Sequence, residues 1–286
     1  MLYDSRSITA DEYEKEITVE GWAQEVRNLG GISFLILRDR YGVVQVTCPK
    51  KKIAPEVMQA VTSLSRESVV RVTGTVKPSA QVKAGYEVIP SAVQVMSAAQ
   101  TPLPMGVVDK VDVQAETRFN HRYMDLRKPE VRAVFEIKSL TMRLIDEYLA
   151  DNGFVEVFTP KLVASGAEGG STLFKVDYFG KPAYLAQSPQ LYKQMLMSTG
   201  LDRVFEIGPA FRAEPSDTAR HVSEFISFDG EMAHIDSQRD VMAMIEGCTR
   251  FVISEVRERG KWALEAIGAE VTVPKSPYPV VTYERA

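Results

Sequence analysis

RVFEIGPAFRAEPSDTARHVSEFISFDGEMAHI, residues 203–235, is the stretch on which the reading of this chain turns. Two strand-like runs, RVFEIGPAFR and VSEFISFDGEMAHI, flank the polar loop AEPSDTARH, a pattern that predicts an antiparallel hairpin with a long tip. Strand side chains alternate between faces. Arg212 and Glu214 therefore share one side of the first strand, and Phe225, Ser227, Asp229 and Glu231 share one side of the second. Any one exposed charge pair is ordinary and is worth only ~0–1 kcal/mol. Together they are specific: a guanidinium fork matches phosphate, an aromatic ring stacks on a purine, and a carboxylate accepts from an exocyclic amino group. A nucleotide is the ligand that uses all three.

Working outward, the preceding segment LAQSPQLYKQM adds Gln190 and Lys193 to the polar residues near the hairpin. Further upstream, PEVRAVFEIKSLTMRLIDEYLADNG has proline at a helix start and apolar residues at Val134, Ile137, Leu140, Leu144 and Tyr148, with Gly153 as the stop signal. It predicts a long amphipathic helix that feeds the strand FVEVFTP. After the hairpin a second amphipathic helix is expected from about Ser237 to Lys261. TPLPMG, residues 101–106, can extend neither helix nor strand and reads as a connector. Ahead of it, ITVEGWAQEVR, ISFLILRD, GVVQVTC, VVRVTGTVK and YEVIPSAVQVM read as five strands, with a helix-like APEVMQAVTSLS after the third. That order fits a small OB barrel, a scaffold that often binds single-stranded nucleic acid.

The 286 residues, 45% of them hydrophobic, suffice for about two domains at ~150 residues each. The net charge is −4, yet residues 17–100 carry ten Lys/Arg against six Asp/Glu, so a mildly basic module precedes an acidic one. Cys48 and Cys248 alone support neither a disulfide framework nor a cysteine metal cluster. No apolar run of about 18 residues and no secretory signal pattern is present, and the cytoplasm is the expected compartment.

FEIGPAFRAEPSDTARHVSEF resembles the second signature motif of class II aminoacyl-tRNA synthetases. With SPQLYKQ, ASGAEGGSTLF, RFNHRYMDLRKPEVR and GWAQEVRNLGGISFLILRDRYGVVQVT in the same order, the chain resembles aspartyl-tRNA synthetases of the archaeal and eukaryotic type. The resemblance implies an α+β fold. A five-stranded OB β-barrel at 1–104 would bind the anticodon, 105–130 would be a linker or hinge, and 131–286 would be the N-terminal part of a class II antiparallel-sheet catalytic domain. It implies activation of L-aspartate by ATP with Mg2+, followed by transfer to tRNA(Asp), with tRNA(Asn) as a second candidate acceptor, and a homodimer formed through the long helix after Pro129.

Site roles follow from the same resemblance. Arg212 would hold the α-phosphate and the activated carboxylate as the catalytic residue, Glu214 the adenine amino group and Phe225 the adenine face. Arg220 and His221 would take the outer phosphates, with Ala213 and Val222 beside them. Glu168, Ser188, Gln190, Leu191, Tyr192, Lys193 and Asp229 would line the aspartate pocket. Lys193 bears on substrate choice: a buried ammonium without a counter-charge is costly, so a pocket holding one favours a carboxylate ligand over an amide. In the barrel, Arg27, Phe34, Gln45 and Glu87 would contact the anticodon, with Gln24 and Lys83 near its third position. The third motif, with its arginine, the magnesium-binding acid and the aspartate-holding arginine have no counterpart here, so no metal ligand is assigned within this chain. The resemblance then implies a fragment with a half-built site and little activity alone. Two alternatives stay open, an inactive tRNA-binding or dimerising paralogue and an asparaginyl-tRNA synthetase.

Overall fold

The computed structural model describes residues 2–108, 111–166, 173–214, 218 and 221–285, in two compact units, Met1–Asp125 and Leu126–Ala286. In the first unit the strands are β1 (Leu2–Tyr3), β2 (Glu16–Asn28), β3 (Ile32–Arg38), β4 (Val43–Pro49), β5 (Val69–Pro78) and β6 (Tyr86–Ser97), with helix α1 (Pro55–Thr62) between β4 and β5. The sheet order is β1-β2-β3-β4-β6-β5, and a further pairing of β2 with β5 closes it into a barrel. Strict alternation drives the closure: Ile17, Val19, Leu35, Leu37, Val44, Val46, Val70, Val72 and Val88 all point inward and are buried. Val61 of α1 joins them. Each buried side chain of this kind stabilises the fold by about 1.5–3 kcal/mol. Two glycines permit the tight closure, since a Cβ at Gly21 or Gly74 would lie 2.3 Å from the carbonyl oxygen of Arg38 or Ile89. The expected five strands and helix are therefore present as β2–β6 and α1, with the short β1 added in parallel to β2.

Between Met105 and Asp125 the chain forms α2 (Ala115–Asn120) and α3 (Arg122–Asp125). Met105, Val107 and Met124 make a small core there, and the fully buried Asp125 carboxylate is held by Arg118 and Arg122. The division between the units thus falls inside the expected linker, whose earlier part is folded.

The second unit opens with α4 (Pro129–Asp151), followed by β7 (Val155–Glu156), β8 (Leu162–Val163), β9 (Lys175–Tyr178), β10 (Lys181–Leu185) and α5 (Gln190–Met197). The hairpin β11 (Arg203–Phe211) and β12 (Glu224–Met232) comes next, then α6 (Gln238–Arg259) and α7 (Lys261–Ile267). One sheet has the order β8-β10-β9 and the other β12-β11-β7. On the back of the hairpin sheet, Phe205 packs with Leu149 of α4 and with Phe154. α4 and α6 meet through Leu144, Cys248, Val252 and Val256. Ser237 caps α6 in a capping box with Asp240. The expected helix to about Lys261 is α6, which ends at Arg259, and after Gly260 the chain continues in a further helix, α7, which packs on α4. Among the described residues no helix is long and apolar enough to cross a membrane.

Candidate nucleotide and amino-acid site

The hairpin register pairs Ala210 with Phe225, Gly208 with Ser227, Glu206 with Asp229 and Val204 with Glu231, and these residues make the front face. Beyond the last pair, the Arg212 amide donates to the Ser223 carbonyl at 3.0 Å, which extends the ladder and seats the Arg212 guanidinium 5.4 Å above the Phe225 ring. Cation and aromatic plate are thus assembled before any ligand arrives. In the loop, His221 Nδ1 lies 2.7 Å from Thr218 Oγ1, and its Nε2 faces Glu214 at 3.9 Å. Val222 is exposed and Ala213 half-buried beside them. Arg220 and Glu168 lie outside the described residues.

Charge runs down the middle of this face. Glu206 and Asp229 stand directly opposite each other, an arrangement that destabilises a sheet unless cations offset it. Two lysines do so. Lys161 Nζ lies 2.8 Å from Glu206, whose carboxylate also accepts from the Thr159 amide (3.0 Å) and hydroxyl (2.7 Å). Lys193, on α5 and only 4% exposed, places Nζ 3.4 Å from Asp229, 3.5 Å from Glu231 and 3.2 Å from the Gly230 carbonyl. The expectation of a buried ammonium lacking a counter-charge is corrected by this geometry: one cation faces two carboxylates. The partners come from different elements, so the local sequence around Lys193 did not reveal them.

α5 begins at Gln190, whose amide faces Ser188 Oγ at 3.4 Å. Gln190 and Tyr192 are half-buried, whereas Leu191 is 52% exposed, away from the buried position of Lys193. Sequence reasoning missed Lys161, Thr159 and the role of Glu206. Glu231 had a signal, since it shares its strand face with Asp229. Among the described residues no group of three His, Cys, Asp or Glu side chains could hold a metal ion.

On the barrel, Phe34 stands in register with Arg27 on one side and Thr47 on the other, and Ile36 with Gln45. Phe34 is half-buried and alternates with the buried Ser33 and Leu35, so it belongs to the outer face and not to the core. Glu87 accepts from Thr47 Oγ1 at 2.6 Å and from Gln45 Nε2 at 3.4 Å. Arg27 donates to Glu25 at 2.7 Å. Gln24 is half-buried, and Lys83 is exposed in the turn between β5 and β6.

Residues 114–286 match the model of class II tRNA synthetases (D, K and N), and residues 17–96 match the OB-fold nucleic acid binding domain. The hairpin face described above is therefore part of a class II synthetase. The chain belongs to the class II tRNA synthetases of the D, K and N group, with an OB-fold at its N-terminal side. It is 46% identical over 282 residues to an aspartate–tRNA(Asp) ligase of Pyrococcus horikoshii, covering 99% of this chain and 64% of the relative. To an aspartate–tRNA(Asp/Asn) ligase of Methanopyrus kandleri it is 47% identical over 286 residues, covering 99% and 66%. The solved asparaginyl-tRNA synthetase of Pyrococcus horikoshii with asparaginyl-adenylate superposes at a TM-score of 0.84 and 32% identity, covering 91% of this chain and 59% of that one. A putative aspartyl-tRNA synthetase of Leishmania major gives a TM-score of 0.85 at 27% identity, covering 93% and 54%. The chain spans about two thirds of the length of the curated relatives it matches.

Proposed function

We propose that this chain carries the aspartate- and ATP-binding wall and the anticodon-binding barrel of an aspartate–tRNA ligase that acts in the cytoplasm. The observation that carries the reading is the triad of Lys193, Asp229 and Glu231 on the same sheet face as the Arg212–Phe225 stack. An arriving aspartate brings an ammonium that Asp229 can accept and a side-chain carboxylate that takes the vacated place beside Lys193, so every charge stays matched. Asparagine offers no such replacement, and Lys193 would keep Glu231 alone. With ATP stacked on Phe225 and its amino group at Glu214, Arg212 sits where the substrate carboxylate meets the α-phosphorus. The carboxylate oxygen attacks phosphorus, pyrophosphate departs, and the terminal ribose hydroxyl of tRNA then attacks the acyl carbon and releases AMP. Positioning and charge stabilisation do this work without a protein nucleophile. Among the described residues no three His, Cys, Asp or Glu side chains converge on a metal position, so no magnesium ligand is assigned, and the ion would be held chiefly through the ATP phosphates.

The dimer reading rests on apolar residues left uncovered on and beside α4: Val134, Phe135, Val155 and Phe158, the last 80% exposed. The barrel reading rests on Phe34 and Gln45, with tRNA(Asp) as acceptor and tRNA(Asn) as the alternative that the Methanopyrus relative's name raises.

The test is calorimetric binding of a non-hydrolysable aspartyl-adenylate analogue and its asparaginyl counterpart. The aspartyl analogue is expected to bind at least tenfold more tightly, and Arg212→Ala to weaken both about 10- to 100-fold, the span of a charge-assisted hydrogen bond. Equal binding, or preference for the asparaginyl analogue, overturns the aspartate assignment.

A further inference from the structure

We infer that the lysine run Lys50–Lys52 is a phosphate-contact site for the RNA strand that the barrel face reads, an inference that rests on the barrel reading above. Lys50, Lys51 and Lys52 are exposed in the turn that follows β4. Their backbone is pinned from both sides. The Lys50 amide donates to the Gly31 carbonyl at 3.1 Å, and Ile53 is inserted into the barrel core. The run therefore lies against the β2–β3 turn at Gly30–Gly31, where nothing stands within 4 Å of the position a side chain would occupy.

Register fixes where this cluster lies relative to the face. Phe34 is opposite Thr47, and Lys50 follows Thr47 by three residues, about 10 Å at ~3.3 Å per residue. Arg27, the other neighbour of Phe34, is level with the centre of the face and donates to Glu25. Lys83 stands at the opposite end, because β6 starts there and runs parallel to β4. The face thus has an aromatic and amide centre, Phe34 and Gln45, between two cationic ends. That spacing suits a strand whose bases meet the centre while its phosphates pass the ends.

None of the three lysines, nor Lys83, is paired with a carboxylate among the described residues, whereas Arg27, Arg38, Arg71 and Lys77 of the barrel are. Three adjacent like charges left unpaired repel one another, and a polyanion relieves that repulsion. The nearest acid along the chain, Glu56, lies in the first turn of α1 and makes no ion pair with them. A phosphate contact also carries no base information, which separates this cluster from Phe34 and Gln45.

The experiment compares the 286-residue chain with a variant carrying Lys50→Ala, Lys51→Ala and Lys52→Ala, and with a second variant carrying arginine at the same three positions. Filter binding is measured across a salt series with a tRNA(Asp) transcript and with the same transcript bearing an altered anticodon. The alanine variant is expected to lower the slope of log K against log salt by about 2, at ~0.7 per phosphate on single strands. It should weaken both transcripts by the same factor, so that their affinity ratio is unchanged, and the arginine variant should keep the wild-type slope. An unchanged slope in the alanine variant, with wild-type binding intact, overturns the inference alone. A changed affinity ratio also overturns it, because the lysines would then read bases. Failure of the wild-type chain to bind either transcript overturns the barrel reading and this inference together.

Discussion

Each unit buries a cation, and the two do so in opposite ways. In the barrel, Arg38 meets one carboxylate, Glu67, at 2.7 Å, and both side chains are almost wholly enclosed. In the hairpin sheet, Lys193 meets two carboxylates at longer range, and these remain 18% and 26% exposed. The barrel pair is closed to solvent. The Lys193 cluster holds one acid more than its charge requires, with the acids open to whatever approaches the sheet. A buried pair of the first kind fixes a fold; a surplus of the second kind leaves room for a ligand to exchange partners.

The largest effect that could break this contrast is in the barrel. Glu67→Ala strands the Arg38 guanidinium in the core and is expected to destabilise the first unit by about 3–5 kcal/mol. Urea unfolding followed by Trp22 fluorescence measures it, and a loss under 1 kcal/mol would mean that Arg38 finds water. Next comes alkaline pH. Burial pushes the Cys48 thiol up to about 11 and the Tyr86 hydroxyl up to about 12, from ordinary values of 9.0 and 10.0. Each folded pKa lies above its unfolded value, so the neutral forms stabilise the barrel fully below pH 9. That stability declines from pH 9 for Cys48 and from pH 10 for Tyr86, by about 3 kcal/mol per group at 1.36 kcal/mol per unit. Thermal melts from pH 8 to 11.5 test the order, with the barrel transition expected to fall as the pH passes 9.

Smaller effects belong to the hairpin unit. Asp229→Asn with Glu231→Gln leaves the buried Lys193 ammonium with neutral acceptors and no counter-charge, at an expected cost of about 2–3 kcal/mol. Glu231→Gln by itself should cost less than about 1 kcal/mol, since Asp229 remains in place. Denaturant midpoints of the single and double variants decide the matter: additive losses would show two independent pairs in place of one shared cation.

The barrel and the hairpin were legible because their information is local. Alternation in SEFISFDGE assigns each side chain to a face without knowledge of its neighbours, and the structure keeps those assignments for Phe225, Ser227, Asp229 and Glu231. The pairing of Lys161 with Glu206 was not legible. Their positions lie in an irregular segment and in a strand 45 residues apart, and only tertiary folding brings them to 2.8 Å. The Lys193 counter-charges escaped for the same reason. α7 was missed because its seven residues carry no local pattern that says the chain continues in helix and packs against α4. Glu168 and Arg220 fall outside the described residues, so their roles rest on the resemblance alone.

The ring of strands also sets a timetable for synthesis. β2 must find β5, whose residues lie some 50 positions further on, and β4 must find β6, which brings Val46 beside Val88 and ends at Ser97. Pairings of such long sequence separation form slowly, because the intervening chain must be ordered first. The barrel therefore cannot close until the ribosome has released residues up to the end of β6. From then until Leu126 emerges, every residue needed for the ring is available while none of the second unit yet exists to compete for its strand edges.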